Sequence, residues 1–179
     1  ACKANNLRTH IDLAMREGIF HSNGAGSFVE LPANQYICYI DKLKWAMDEE
    51  LLTLGDEIAS SSKGSEFISV HSNQDSLNFM AATANYSLKD YIIHANGVED
   101  IAVADAIIYP DSGIVTVEKK ALIQTLYGAR VLADDLTEYH IFTNSSVDII
   151  SAHNYTASGD YTYTDAMNQK QQIFFKEIR

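Results

Sequence analysis

YSLKDYIIHANGVEDIAVADAIIYPDSGIVTV, residues 86–117, sets the expectation for the fold. Ser87-Leu-Lys-Asp90 has the form of a capping box with Asp in place of Glu. Gly97 sits where a helix-ending glycine belongs, so a short capped helix is predicted between them. Residues 98–109, VEDIAVADAIIY, are β-like. Pro110-Asp-Ser-Gly113 is turn chemistry, and 114–117, IVTV, returns as a second strand. A helix feeding a hairpin argues for a mixed architecture.

Upstream the same mixture continues. Residues 6–17 read as a helix, with Asn6 able to cap it, Leu7, Ile11, Ala14 and Met15 on one face, and Gly18 to end it. SNGAGS (22–27) is a loop, and QYICYI (35–40) a short strand or the lead into the next helix. Residues 41–59 give the strongest helical pattern: Asp41 can cap, and Leu43, Met47, Leu51, Leu54 and Ile58 form an i, i+4, i+8, i+11, i+15 stripe. SSSKGS (60–65) is a loop, EFISVH (66–71) alternates like a strand, and 75–84 reads as a helix.

Downstream, 118–128 fits helix or strand. From 129 onward ARVLA, EYHIF, VDIISA and YTYT are β-branched and aromatic runs, split by the turn-like triplets NSS and SGD, and QQIFFKEI closes the chain. No internal repeat and no dividing linker is visible. The reading is therefore one α+β domain over 1–179. Residues 1–64 form a helical N-terminal part that covers a mainly antiparallel sheet in the sheet-rich part, 65–179, with the hairpin 101–117 inside that sheet.

Composition narrows the function classes. At 46% hydrophobic and 21% charged, the chain has an ordinary globular balance. No apolar run approaches the ~18 residues of a membrane helix, so no direct membrane insertion by this segment is expected. The chain opens ACKANN, which suggests a processed protein or an excised segment. Net charge is −11, with −3 in residues 1–64 and −8 in 65–179. That field repels phosphate backbones, which argues against nucleic acid as a partner. A bridge between the two cysteines, Cys2 and Cys38, would close a loop of about 37 residues and contribute about 3–4 kcal/mol. Alternatively Cys38, inside YICYI, is a buried thiol.

No GxSxG, P-loop, HExxH, EF-hand or CxxC motif occurs, and no cofactor is expected. Glu138 and His140 sit at i, i+2 on one strand face, with Asp134 and Asp135 upstream; a metal site there needs ligands from elsewhere. The carboxylate pairs are adjacent in sequence and point to opposite strand faces, as solvated residues do. Tyr161 and Tyr163 share a strand face near SGD, with Tyr155 on the other side of it. That placement suits either a ligand or partner surface, or a hairpin packed on the core.

The helix at Leu88-Lys-Asp-Tyr-Ile-Ile, the strand at Val98-Glu-Asp-Ile-Ala-Val and the strand-turn Ala106-Ile-Ile-Tyr-Pro-Asp-Ser-Gly-Ile-Val together resemble part of a Cache (PDC)-type sensor domain. This is the extracytoplasmic ligand-binding module of bacterial histidine kinases and related receptors. The stripe at 43–58 fits the long first helix of that family. The resemblance implies a PAS-like sheet and a small-molecule-sensing domain of a signal-transduction receptor. It also implies an extracytoplasmic location and excision from a membrane-anchored protein. The partners it implies are a small-molecule ligand and, in a homodimer, a second copy. It places the pocket against the sheet, with Tyr109, Arg130, Asp134, Tyr139 and Asp148 as ligand-binding candidates and Arg130 as the anion anchor. Two other classes are carried beside it. One is a structural or adhesive surface protein acting through Tyr161 and Tyr163. The other, ranked third, is a hydrolase using Asp134, Asp135 or His140. An enclosed pocket with convergent polar groups favours the sensor, whereas an exposed aromatic patch without one favours assembly.

Overall fold

The computed structural model describes residues 2–55, 64–133 and 140–179. Among these residues there is no α-helix. The described residues form 18 strands and one 3-10 turn at Lys119–Ala121, and every ladder among them is antiparallel. The α+β expectation is therefore corrected to an all-β fold, and the described residues of 1–64 form strands and turns where a helical part was expected.

The chain opens with β1 (Lys3–Asn5), β2 (Leu7–Asp12) and β3 (Glu17–Ser22). Hairpins follow in turn: β4 (Phe28–Leu31) with β5 (Tyr36–Tyr39), β6 (Lys42–Ala46) with β7 (Leu51–Leu54), and β8 (Ser65–Ser69) with β9 (Asn78–Ala81). Next come β10 (Thr83–Ser87) with β11 (Ile93–Asn96), and β12 (Ile101–Val103) with β13 (Ala106–Tyr109). β14 (Ile114–Val117) follows outside any hairpin and pairs with β11. Four longer strands end the chain: β15 (Leu126–Ala133), β16 (His140–Ser151), β17 (Asn154–Thr164) and β18 (Lys170–Ile178).

Successive hairpins go to alternate sheets. One sheet runs β1-β4-β5-β8-β9, a second β14-β11-β10-β7-β6-β3-β2, and a third β12-β13-β15-β16-β17-β18. β9 and β12 lie side by side without a ladder between them, so the third sheet continues the first as one layer. The second sheet is the opposite layer. A single core joins them: Leu31, Tyr36 and Phe67 from the first sheet, Leu54 and Tyr86 from the second, and Ile108 from the third are all buried in it. The alternation of hairpins is a structural repeat with little residue identity behind it, which is why no repeat shows in the sequence.

The hairpin expected over 98–117 divides between the layers. Ala104 and Asp105 turn β12 into β13, whereas Pro110–Gly113 carries the chain across to β14, which pairs with β11. The turn chemistry at 110–113 is genuine, and what it connects is two sheets.

The helices fail at their ends. The stretches read as helical over 6–17, 41–59 and 87–97 each hold a hairpin tip or turn made of helix formers: Leu13-Ala-Met-Arg16, Met47-Asp-Glu-Glu50 and Leu88-Lys-Asp-Tyr91. Each tip ends on a left-handed residue, with φ of 56° at Arg16, 52° at Glu50 and 61° at Tyr91. One helical turn begins and one left-handed residue reverses it. Of the expected caps, the Ser87 one forms: the Asp90 amide donates to Ser87 Oγ at 3.0 Å. Asn6 instead donates from Nδ2 to the Ala25 carbonyl, and Asp12, not expected as a cap, accepts from the Ala14 and Met15 amides at 2.9 Å. The Ser87 and Asp12 bonds close single turns. The apolar stripe expected at 43–58 breaks up: Leu43 is buried on β6 and Leu54 on β7, Leu51 is half-buried beside buried Leu52, Met47 sits at the tip between the strands, and Ile58 lies outside the described residues. The stretch 75–84 becomes β9 and the start of β10, and 118–128 becomes the 3-10 turn and the start of β15. Strands expected at 35–40 and 66–71 form as β5 and β8.

Candidate functional site

The triplets NSS and SGD, expected as turns, lie inside strands. β16 bulges at Asn144, whose φ is 50°, and β17 passes Gly159 beside it. A Cβ on Gly159 would lie 3.1 Å from the Ser145 Cβ and 3.2 Å from its Cα. Glycine is required because the two strands approach there too closely for any side chain. Running straight through these bulges, β16 and β17 pair on both sides of them.

Along the proximal half of this ribbon the inward residues are buried: Val147 and Ile149 on β16, Tyr155 and Ala157 on β17, and Ile178 on β18. Beyond the bulges the same face continues, with Phe142 still in the core and Tyr161 packed half-buried against it, and exposure rises toward the strand ends. The distal half carries an aromatic cluster. Phe142 lies with its ring centroid 5.5 Å from Tyr161 and 5.4 Å from Phe175. Tyr161 and Phe175 are 6.0 Å apart, edge to face, and His140 lies 5.8 Å from Tyr161. The register Phe142↔Tyr161↔Ile173 and Tyr163↔Gln171 places Ile173 and Tyr163 on this face too. Tyr163 is 47% exposed, Ile173 40% and Phe175 38%. The other face carries exposed Ile141 and Phe174. β18 is the last strand of its sheet, and residues 170–177 are all exposed. It is a long, apolar, unpaired edge.

The residues read from the sequence divide. Tyr109 and Arg130 are cross-strand partners on β13 and β15, and the Arg130 guanidinium lies 3.9 Å from the Tyr109 ring centroid. Both point outward, because Ile108 and Val131 between them point into the core. Asp148 also points outward but lies apart, where Thr125 Oγ1 donates to its Oδ1 at 2.5 Å. Its cleft of about 420 Å³ includes Thr125 and Tyr127. Asp134 and Tyr139 lie outside the described residues, as do Asp135 and Glu138. Of the tyrosines near SGD, Tyr155 is core, Tyr161 half-buried and Tyr163 exposed. Sequence reasoning missed Phe142, Ile173 and Phe175. The signal was present in QQIFFKEI, whose apolar residues sit on both faces of a terminal strand.

A 510 Å³ cleft lies over the unladdered seam between β9 and β12, and its ionisable side chains, Glu99 and Asp100, are both acidic. Among the described residues no group of three or more His, Cys, Asp or Glu side chains could hold a metal.

The cysteines are unbridged: Cys38 is buried on β5 and Cys2 half-buried. Burial pushes both thiols up, Cys38 far more than Cys2. A thiol reagent is expected to label Cys2 slowly in the native protein and Cys38 only on unfolding. Failure to label either thiol in denaturant before reduction would show a bridge instead. No helix among the described residues is long and apolar enough to cross a membrane, which says nothing of a β-barrel. Neither a family model, nor a curated protein, nor a solved structure matches this chain.

Proposed function

We propose that this chain is a structural interaction domain that acts through protein–protein contacts made by its C-terminal β-ribbon. One observation carries the reading: beyond the bulges the core-type face of β16–β18 continues as an aromatic cluster that runs from buried Phe142 through half-buried Tyr161 to exposed Phe175, Ile173 and Tyr163. Water-facing aromatic clusters on a rigid sheet fit a partner surface, since they offer large area at little entropic cost. The open cleft over the β9–β12 seam, whose ionisable side chains are both acidic, suits small-molecule capture less well.

A thermal-shift screen of amino acids, small carboxylates and sugars separates this reading from small-molecule sensing. A ligand at a hundred times its Kd would stabilise by about 2.7 kcal/mol and raise the midpoint by roughly 5–10 °C. The expected result is no saturable rise. A rise that disappears in Arg130→Ala would return the sensor reading with Arg130 as its anchor.

A further inference from the structure

Tyr127 is the most exposed tyrosine, phenylalanine or tryptophan among the described residues, at 74%, and a β-bulge puts it there. On β15 the register slips between Leu126 and Ala129. The two residues in that interval, Tyr127 and Gly128, both face water, while Leu126 and Ala129 stay in the core. Gly128 takes a φ of 69°. The Asp111 side chain, from the crossing between β13 and β14, lies over it: a Cβ on Gly128 would stand 3.4 Å from the Asp111 Cβ and Cγ. A strand of the third sheet thus holds the ring out to solvent, and a carboxylate is set beside its backbone.

The ring stands between two open clefts. One, of about 240 Å³, holds Asp111 and Ser112. The other, of about 420 Å³, holds Leu122 and Asp148. Gln124, Thr125 and Tyr127 line both. The polar groups between the clefts are already oriented. Gln124 Nε2 donates to Glu118 Oε1 at 2.6 Å, and Thr125 Oγ1 donates to Asp148 Oδ1 at 2.5 Å. Those bonds use donors, and leave the amide oxygen of Gln124 and the second carboxylate oxygen of Asp148 as acceptors. Among the described residues no Lys, Arg or His lines either cleft, so an anionic ligand meets no counter-charge. Aromatic recognition of a cation works by surrounding it with rings, and here one ring stands alone. The set suits a neutral ligand with a flat C–H face for the ring and hydroxyls that donate to the acceptors around it. A pyranose with all its substituents equatorial has that shape: its axial C–H bonds make both faces apolar, and its hydroxyls lie round the rim.

We propose that this face binds a neutral oligosaccharide of equatorially substituted pyranoses, a β-1,4-linked glucose or xylose chain, with one sugar ring stacked on Tyr127 and its neighbours in the two clefts. Asp111 and Asp148 accept hydroxyl hydrogens from the flanking units, and Gln124 accepts between them. The site uses the outward side of β15 and of the proximal half of β16, away from the ribbon's aromatic cluster, and it does not depend on the interaction reading. One sugar gains a single stacking contact and a few hydrogen bonds in competition with water, so free monosaccharides leave the thermal midpoint unmoved. Affinity comes from several linked units engaging the ring and both clefts together.

Isothermal titration of the whole chain with cellohexaose and xylohexaose tests it, beside cellobiose and hexalysine. At least one hexasaccharide should give a saturable signal, about tenfold or more tighter than cellobiose. Tyr127→Ala should weaken that binding at least about tenfold, whereas Tyr127→Phe, which keeps the ring, should stay within about threefold of wild type. Asp111→Asn with Asp148→Asn should weaken it by about tenfold, since each amide replaces an acceptor oxygen with a donor. Tyr127→Ala should unfold at the wild-type midpoint, because the ring faces water. No saturable signal with either hexasaccharide overturns the proposal, and so does hexasaccharide binding that Tyr127→Ala leaves unchanged. Hexalysine binding that Tyr127→Ala abolishes, with no hexasaccharide signal, overturns it in favour of a cationic partner. The signal follows Tyr127 and not Arg130, which keeps it apart from the sensor reading, and none of these outcomes bears on contacts made by the ribbon.

Discussion

Replacing Phe67 with alanine is expected to lower the unfolding free energy by about 3–5 kcal/mol, the range for a buried phenylalanine whose site cannot collapse. Phe67 is fully buried on β8. Its ring stacks on Phe79 of the neighbouring β9, 5.3 Å between centroids at 5°, and Phe79 in turn meets Tyr36 at 6.1 Å. These three rings fill the inter-layer space where the first sheet faces the second, and neighbours held by strand ladders on both sides have little freedom to close a void. For a chain of this length the midpoint should fall by roughly 6–20 °C. Met80 supplies the control, since it sits one residue from Phe79 on β9 and faces outward. Met80→Ala should change stability by less than about 0.5 kcal/mol. Equal effects from the two substitutions, followed by thermal or urea unfolding, would mean that the inward and outward faces of β8 and β9 are assigned the wrong way round.

The register behind that prediction was legible in part. Residues 66–71 alternate as a strand should and 35–40 form a short apolar run, and both hold strands, β8 and β5. The apolar runs after 129 are strands as well. The helical readings failed for one physical reason. Leu13-Ala-Met-Arg16, Met47-Asp-Glu-Glu50 and Leu88-Lys-Asp-Tyr91 are good helix-formers, and over four residues a hairpin tip with a helical entry cannot be told from the first turn of a helix. Left-handed Arg16, Glu50 and Tyr91 decide the matter, and none of the three is a residue type that announces positive φ. The inverse error occurred at Asn144-Ser-Ser and Ser158-Gly-Asp. Both have turn composition, but here it serves a β-bulge and a close strand approach within two long strands.

The candidate surface was half legible for a related reason. Tyr161 and Tyr163 share a strand face in any register that keeps 161–164 extended, and that much follows from the period of two. Whether the face meets core or water depends on what packs against it across the fold, and nothing local to 161–164 encodes that. Ile173 and Phe175 join the face only through pairing with β17, a long-range fact. Among the outward residues, Tyr109 and Arg130 come together because β13 and β15 are neighbours, although β14 separates them in sequence.

Replacing Asn34 with alanine is expected to cost about 2–4 kcal/mol, and Asn34→Asp more than that at neutral pH. Asn34 is fully buried in the β4–β5 tip, Pro32-Ala-Asn-Gln35. Its Nδ2 donates to the Tyr91 carbonyl at 2.8 Å and to the Val117 carbonyl at 3.1 Å. One side chain of the first layer thereby ties together two strands of the second: the β10–β11 tip and the end of β14. The Lys120 amide donates to the Ala33 carbonyl at 2.9 Å and closes the same corner. Alanine strands both carbonyls away from water, at about 1–3 kcal/mol each, less what is regained because Asn34 Oδ1 has no hydrogen-bond partner of its own. An aspartate would instead direct a carboxylate at two carbonyl oxygens. Its folded-state pKa must then lie above its unfolded value, so the extra penalty is full above the folded pKa and fades as pH falls through the unfolded one. A protonated carboxyl can donate one of the two lost hydrogen bonds. Urea unfolding at neutral and acidic pH should therefore show Asn34→Asp well below Asn34→Ala at pH 7 and close to it, or above it, in acid. If the two variants track each other across that range, the Asn34 side chain is not what joins the layers at this end.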